Sequence, residues 1–366
     1  MKFRCERDVL NDALSTCSRA VSARSGSLPV LTGIRAELSG DVLRLTGTDL
    51  ELTITIDVDV AGEQDGVAVI PARLFGDIVR ALELGAVHVE VHDEQAQISA
   101  GRSQFSLRLI PADEFPRTTE PTGMSVTIPG KEFAAALNQV VPAASKDDSR
   151  PLLTGVLLAA EGAGVRLVAT DSYRLSLRDL PGTSVLPEGQ KVLLPAKALS
   201  ELARLLGPGN AGDEVVLRLG ERDASFEVGQ ARLTTRVIEG DFPNYQGLIP
   251  KDHPNRLYVS RSQLYDAVRR VELLARESTP VKLEMHADGV ELRAIRQDVG
   301  QAHDSLDGRL EGEDLSVAFN PKYLLDGLEA AQGDEIILET RDARTPAVLR
   351  TKDNEEFLYL LMPVRV

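Results

Sequence analysis

The chain has 366 residues, enough for two or three domains that each bury a core of their own. Hydrophobic residues make up 43% and charged residues 27%, a globular balance; with 4% aromatics and no Trp, the cores must be built from Leu, Val, Ile and Ala. A net charge of −15, taken as an average, argues against nucleic acid as a partner, and two cysteines are too few for a disulfide framework or a four-thiolate zinc site.

The opening Met1-Lys2-Phe3-Arg4-Cys5-Glu6-Arg7-Asp8 puts charge where a signal peptide carries an apolar stretch, and no apolar run reaches the ~20 residues that span a bilayer. The chain is therefore expected in the cytoplasm, a compartment that suits the free thiols of Cys5 and Cys17. Apolar spacing predicts helices over 5–24, 72–83, 130–150, 196–206, 260–276 and 320–331. Between them, Val42–Thr46 and Leu52–Val58 alternate with period two and carry β-branched residues, the mark of half-buried strands. His88, Glu90 and His92 share one face of such a strand and read as solvated side chains rather than metal ligands. Gly207-Pro208-Gly209-Asn210-Ala211-Gly212 has a helix before it and a strand after it, the reverse of a dinucleotide site, so it reads as a helix stop.

The chain repeats itself. A basic residue follows a proline-marked helix start at Arg73, Lys197 and Lys322, offset by 124 and 125, and an acid comes four residues later at Asp77, Glu201 and Asp326. Leu10, Ala13 and Leu14 match Phe133, Ala136 and Leu137, then Leu264, Ala267 and Val268. Thr32-Gly33-Ile34 with Thr48-Asp49 returns 122 residues on as Thr154-Gly155-Val156 with Thr170-Asp171, and Phe115-Pro116 returns as Phe242-Pro243. The expectation is an α+β fold of three repeated domains, 1–120, 121–250 and 251–366, each with two helices packed on antiparallel sheet. Loop-rich stretches at 118–123 and 250–255 mark the boundaries.

The acid is unevenly spread. The six helical windows hold 15 basic and 13 acidic residues, leaving 26 basic and 43 acidic elsewhere. If the helices share one surface, it is mildly positive within an acidic body, suited to touching phosphates without gripping them. No nucleophile elbow, P-loop lysine motif or His-Glu-x-x-His pattern occurs, and Asp147-Asp148 reads as a solvated loop. The sequence thus favours binding over catalysis, and no metal or cofactor is expected; a hydrolase with an unfamiliar site is the alternative from another class.

The threefold repeat resembles the bacterial sliding clamp family, the β subunit of DNA polymerase III. So do Met1-Lys2-Phe3, Ser27-Leu28-Pro29-Val30-Leu31, Ala169-Thr170-Asp171-Ser172-Tyr173-Arg174-Leu175, Gly240-Asp241-Phe242-Pro243-Asn244-Tyr245, Phe319-Asn320-Pro321-Lys322-Tyr323 and Met362-Pro363-Val364-Arg365-Val366. The resemblance covers the whole chain. It implies a processivity factor, not an enzyme: two chains join head to tail in a ring, helices line the hole, and duplex DNA threads it. It also implies a separate ATP-driven clamp loader, a polymerase III α subunit, and other polymerases and repair proteins as partners, with no membrane. An alternative within the fold is a duplicate clamp that confers resistance to a cleft-binding inhibitor.

Carried over residue by residue, the resemblance gives Arg24, Arg73, Arg150 and Lys197 as DNA contacts. It gives a partner-peptide cleft of Leu153, Thr170, Ser172, Tyr173, Arg174, Leu175, Pro243, Leu248, Pro346, Leu360, Met362, Pro363, Val364 and Arg365. Leucine, proline and methionine make an adaptable apolar surface, and the arginines are suited to orienting a peptide carboxylate. Phe105 and Leu107 are expected to meet Leu273 and Leu274 of a second copy across the ring interface. Three departures stand out. The segment 296–304 is poorer in acid than in other members, and Pro151-Leu152 replaces aromatics after Arg150. The third repeat has Ile295-Arg296 in place of the Thr-Asp pair, so the cleft is expected once per chain.

Overall fold

The computed structural model describes residues 1–22, 28–117, 121–123, 125–162, 164–183, 186–207, 214–275, 279–352 and 354–365. Six α-helices lie among them: α1 (Arg7–Cys17), α2 (Ala72–Ala81), α3 (Gly130–Val140), α4 (Ala196–Leu205), α5 (Arg261–Glu272) and α6 (Pro321–Ala330). Each sits inside a window predicted from sequence, and most of the windows overran at the end. Pro142 has no N–H to give and its ring clashes with a preceding helical turn, so α3 closes at Val140 into a short 3₁₀ turn, Val141–Ala143. Lys146 and Arg150 therefore fall outside α3, Arg19 lies in a 3₁₀ turn (Ser18–Ala20) beyond α1, and the six α-helices carry ten basic and nine acidic residues. The positive surplus that the sequence assigned to them shrinks accordingly. At the other end, the Asn320 side chain caps α6 by accepting from the Lys322 and Tyr323 amides.

The chain divides into two compact units, Met1–Lys131 with Arg204–Val237, and Glu132–Ala203 with Ile238–Val366. In the first unit an antiparallel five-stranded sheet runs Ala61–Gln64, Lys2–Glu6, Ala86–His92, Gln95–Ala100, Ser103–Arg108. A second sheet runs Ser125–Pro129, Glu214–Leu219, Asp223–Val228, Ala231–Arg236, Leu52–Asp59, Val42–Thr48, Gly33–Ser39, Gly66–Pro71. The helices α1 and α2 pack on each other, burying Leu10, Leu14 and Cys17 from one and Phe75 and Val79 from the other. Burial pushes the Cys17 thiol well above its ordinary range, and its Sγ donates to the Leu45 carbonyl, so it is core and not nucleophile.

In the second unit twelve strands follow one another by hydrogen bonding, from Lys191–Pro195 through Gly155–Glu161, Gly164–Thr170 and Arg174–Pro181 to Asn354–Leu361, and on to Leu315–Phe319 at the far edge. Helices α5 and α6 pack together here, burying Leu264, Val268 and Val271 against Leu324 and Leu328.

Within each unit one strand ladder crosses from one repeat to the next. Leu52–Asp59 pairs with Ala231–Arg236, and Arg174–Pro181 pairs with Asn354–Leu361. The glycine of the repeated Thr-Gly motif has the same reason to exist in both. A Cβ on Gly33 would lie 2.4 Å from Val69 Cγ1, and one on Gly155 would lie 2.7 Å from Leu193 Cδ1. A side chain at either position would press on side chains of the neighbouring strand and force them to shift.

Candidate partner cleft, nucleic-acid surface and pairing edges

The segment Thr170–Arg174 links two strands by a tight turn built from its own side chains. Thr170 Oγ1 donates to the Arg174 carbonyl at 2.6 Å and accepts from the Ser172 amide at 3.2 Å. Asp171 Oδ1 accepts from the Tyr173 and Arg174 amides at 2.9 and 3.0 Å. Ser172 sits at φ 80°, left-handed backbone held in place by these bonds. The turn lifts Tyr173 into solvent, 58% exposed, where its ring stacks on Tyr323 with centroids 6.3 Å apart.

The sequence assigned Arg174 to a peptide carboxylate, and the structure corrects that. Arg174 is buried at 6% exposure and its donors are committed: Nε to Asp171 at 3.0 Å, Nη1 to Asp326 and to the Tyr359 hydroxyl, Nη2 to the Pro142 carbonyl at 2.6 Å. The guanidinium also lies 4.5 Å over the Tyr323 ring. It braces the wall of the cleft. Asp326, Tyr323 and Tyr359 were missed as parts of this site, although Asp326 was already visible as the repeating acid of the third repeat.

Other assigned residues converge on the same place. The Met362 amide donates to the Tyr173 carbonyl at 2.9 Å, and the Val364 amide to the Ala318 carbonyl at 2.8 Å, which ties the C-terminal segment down beside the turn. Met362 is 39% exposed, Pro363 and Val364 are half-buried, and Arg365 is exposed. Leu175 and Leu360 face each other across paired strands but are 1% and 2% exposed, so they are floor rather than contact surface. They belong to a cluster with Leu157, Val168, Leu177, Leu193, Val348 and Leu358, residues the sequence reading did not name. Strand register sets five of these in one row, Leu193–Leu157–Val168–Leu177–Leu358, each opposite the next. Phe242 and Tyr245 pack over it, and Pro243 joins them along a cavity of about 390 Å³. Leu248, 49% exposed, follows on the same loop; Leu153 is buried and Pro346 half-buried.

Of the residues assigned to DNA, Arg73 has a side chain 94% accessible at the first turn of α2, with Nε 3.9 Å from Asp77. Lys197 is exposed at the first turn of α4. Arg150 is not on a helix. It pairs with Asp147 at 2.9 Å and reaches Ser172 Oγ at 3.4 Å, beside the cleft turn. Arg24 lies outside the described residues, as does most of the glycine-rich segment after α4. His92 Nε2 pairs with Glu90 at 2.7 Å on an exposed strand face, with Lys2 next to it.

Several strands have a side without a hydrogen-bonded neighbour among the described residues, and two of them bear on the residues expected at the ring interface. Ser103–Arg108 ends the five-stranded sheet, with Phe105 40% exposed and Leu107 turned inward at 8%. Gly300–Glu311 pairs with Gly289–Arg296 over 300–307 but meets Asn255–Ser260 only from Gly308 on. Exposed apolar side chains stand near that open half: Leu273 at 77%, Ile295 at 63% and Val299 at 59%, with Leu274 half-buried.

Three family models match: DNA polymerase III beta subunit N-terminal domain over 1–119, central domain over 127–244 and C-terminal domain over 246–365. The beta sliding clamp of Streptomyces coelicolor is 36% identical with all of both chains covered. The beta sliding clamp homolog GriR of Streptomyces muensis is 31% identical over 100% of this chain and 99% of that one. Among solved structures, the DNA polymerase sliding clamp of Bacillus subtilis superposes with TM-score 0.91 at 31% identity, covering 100% and 99%. The clamp of Bartonella birtlesii bound to griselimycin superposes at 0.93 with 30% identity and full coverage of both. With all three domains matched and the whole length shared, the chain belongs to the family of DNA polymerase III beta subunits, the sliding clamps of DNA replication.

Proposed function

We propose that two copies of this chain, each made of repeats 1–120, 121–250 and 251–366, close head to tail around duplex DNA and hold polymerases to the template. The observation that carries the ring is an edge strand, Ser103–Arg108, and a half-open strand, Gly300–Glu311, each with exposed apolar side chains on it or beside it. Ser103–Arg108 of one copy adds to the open half of Gly300–Glu311 in the other, so closure leaves neither edge free. Phe105 then meets Leu273, Ile295 and Val299, with Leu107 and Leu274 packed beneath. The acid-poor 296–304 segment makes this interface rely on apolar contact more than on ion pairs.

Arg73 and Lys197 at helix starts, with Arg24 and Arg150, touch phosphates. Four contacts per chain give a modest, salt-sensitive attraction, so retention comes from encirclement and sliding stays easy. The rim of Tyr173, Leu248, Met362, Pro363, Val364 and Arg365 over its leucine floor takes short apolar segments of the polymerase α subunit, the clamp loader and repair proteins. The protein performs no bond chemistry of its own and works in the cytoplasm. Protein loaded on a nicked circle should remain bound and be lost once the circle is cut linear; equal retention on both defeats encirclement. Deleting Met362–Val366 should abolish peptide binding yet leave a solution mass about twice 39.6 kDa. A deletion that yields monomer shows those residues serve the ring instead.

A further inference from the structure

The stretch that joins the second repeat to the third also roofs the cleft. Phe242, Tyr245 and Ile249 pack against the leucine floor, and Leu248 stands on the rim. At the upstream end the Tyr245 hydroxyl donates to Glu161 at 3.0 Å. At the downstream end Asn255 is buried, its Oδ1 accepts from the Glu313 amide at 2.9 Å, and the strand Asn255–Ser260 begins. Between these ends, residues 249–254 make no hydrogen bond to the rest of the chain among the described residues. Pro250 and Pro254 have no N–H to give. Lys251, Asp252 and Pro254 are exposed, and Ile249 and Pro250 are half-buried. The side chain that goes deepest is that of His253, at 7% exposure. A strap without backbone bonds is held by such packing alone, and a segment of that kind opens more readily than the strands around it.

His253 is buried without a hydrogen bond. Its Nε2 has no partner among the described residues, and its Nδ1 stops 3.7 Å from Glu339 Oε2. That carboxylate is already committed: Arg350 Nε reaches Oε2 at 3.1 Å, and Arg256 Nε lies 3.3 Å from Oε1. Asp252, exposed, is the other neighbouring acid among the described residues. A neutral imidazole suits this place as a flat wedge. A charged one would be a third cation around a single buried carboxylate that two arginines already neutralise, and burying such a charge is costly. Burial accordingly pushes the imidazole below its ordinary value of 6.5; Arg350 and Arg256 add to the shift, while Glu339 and Asp252 oppose it. The neutral form is thus favoured while the strap is closed. Closure has its full advantage above 6.5, the value of a solvated ring, and loses it as pH falls below 6.5, because the open form takes up the proton first.

We propose that residues 249–254 form a proton-operated latch on the cleft: the neutral His253 ring holds the strap down, and its protonation frees Leu248 and Ile249 and loosens the hold on an apolar peptide. The effect on peptide rests on reading the Thr170–Arg174 cleft as a peptide site; the latch itself rests on His253 and its neighbours. The test uses the full-length protein in two arms, each run at pH 7.5 and at pH 5.5. Calorimetry with a terminally blocked hexapeptide of leucine, phenylalanine and serine, which has no titrating group, reads affinity. Hydrogen exchange of residues 246–255 without peptide, corrected for intrinsic rates, reads strap opening. On acidification the wild type should open more and bind more weakly, each by about threefold or more. His253→Phe keeps a flat ring that cannot charge, and His253→Gln keeps a neutral polar group; both should flatten the two responses. His88, His92, His286 and His303 are common to all three proteins, so their titration cancels. Strap opening indifferent to pH in the wild type, or a response in both variants equal to the wild type's, overturns the latch. A strap that opens in acid with affinity unmoved overturns it too, because it then does not act on the cleft. No peptide binding at either pH overturns the cleft reading instead, and the exchange arm alone decides the latch.

Discussion

Thr48–Leu52 and Thr170–Arg174 are the same turn in two surroundings. Both spend a threonine hydroxyl and an aspartate oxygen on backbone groups that would otherwise lie unpaired, and both hold a residue other than glycine at φ near 80°. They part at the fifth residue. Leu52 is an apolar plug, 2% exposed, whereas Arg174 gathers Asp171, Asp326, Tyr359 and the Pro142 carbonyl into one buried network. A backbone frame is therefore not a specificity: the local hydrogen bonds fix where the chain goes, and the side chains laid across the neighbouring strands decide what the surface can bind.

The largest test of that difference is Arg174→Ala. Removing one partner of a buried ionic network strands the others, at a cost of about 3–5 kcal/mol. Urea unfolding should show the loss, and a cycle with Asp326→Asn should recover ~1–3 kcal/mol of it as coupling. Zero coupling would mean that the arginine acts through packing, as Leu52 does. The next effect tests the likeness. Thr170→Val removes one donated and one accepted bond, and Thr48→Val removes the same two and a hydroxyl–hydroxyl bond to Thr53 at 2.8 Å, for ~1–3 kcal/mol apiece. If the turns are equivalent, the Thr48 loss should equal the Thr170 loss or exceed it by no more than the ~0.5–1.5 kcal/mol of the one further hydrogen bond. A silent Thr48→Val would break the equivalence.

The repeat was legible because its causes are local. Helix starts, the Thr-Asp turn and the glycine under a neighbouring strand are each demanded by bonds within a few residues or by one close approach. Helix ends were less legible: the apolar spacing ran on past Val140, and only Pro142 decides the stop. The leucine floor was missed because Leu157, Leu177, Leu193 and Leu358 are indistinguishable from ordinary core in a linear reading; strand register alone puts them in a row. Arg174 was misread for a related reason. An arginine in a motif beside a cleft suggests a ligand contact, and nothing near it in sequence reveals that Asp326, 152 residues on, already holds it.

The smallest effect sharpens the comparison at the bracket on the far end of each strand, where Arg44 clasps Asp57 with two bonds of 2.7 Å, as Arg166 clasps Asp179 at 2.6 and 2.8 Å. Hydrogen bonds from Arg44 hold the Asp57 carboxyl below its ordinary value of 3.8, against the opposing pull of partial burial. A carboxyl depressed in the folded state contributes stability above its unfolded pKa, and that contribution disappears as pH falls through the folded one, because the unfolded chain takes up the proton first. The pair is close to half exposed, at 49% and 35%, so solvent screening limits it to a few tenths of a kcal/mol, up to ~1. Melting temperatures of wild type and Arg44→Gln should therefore differ most near neutral pH and converge as the pH drops below 3.8. A gap that persists unchanged into acid would assign the arginine's contribution to its aliphatic stem lying on the strand face rather than to its charge. The bracket would then be a packing device, and its recurrence at Arg166 and Asp179 would be explained by shape instead of electrostatics.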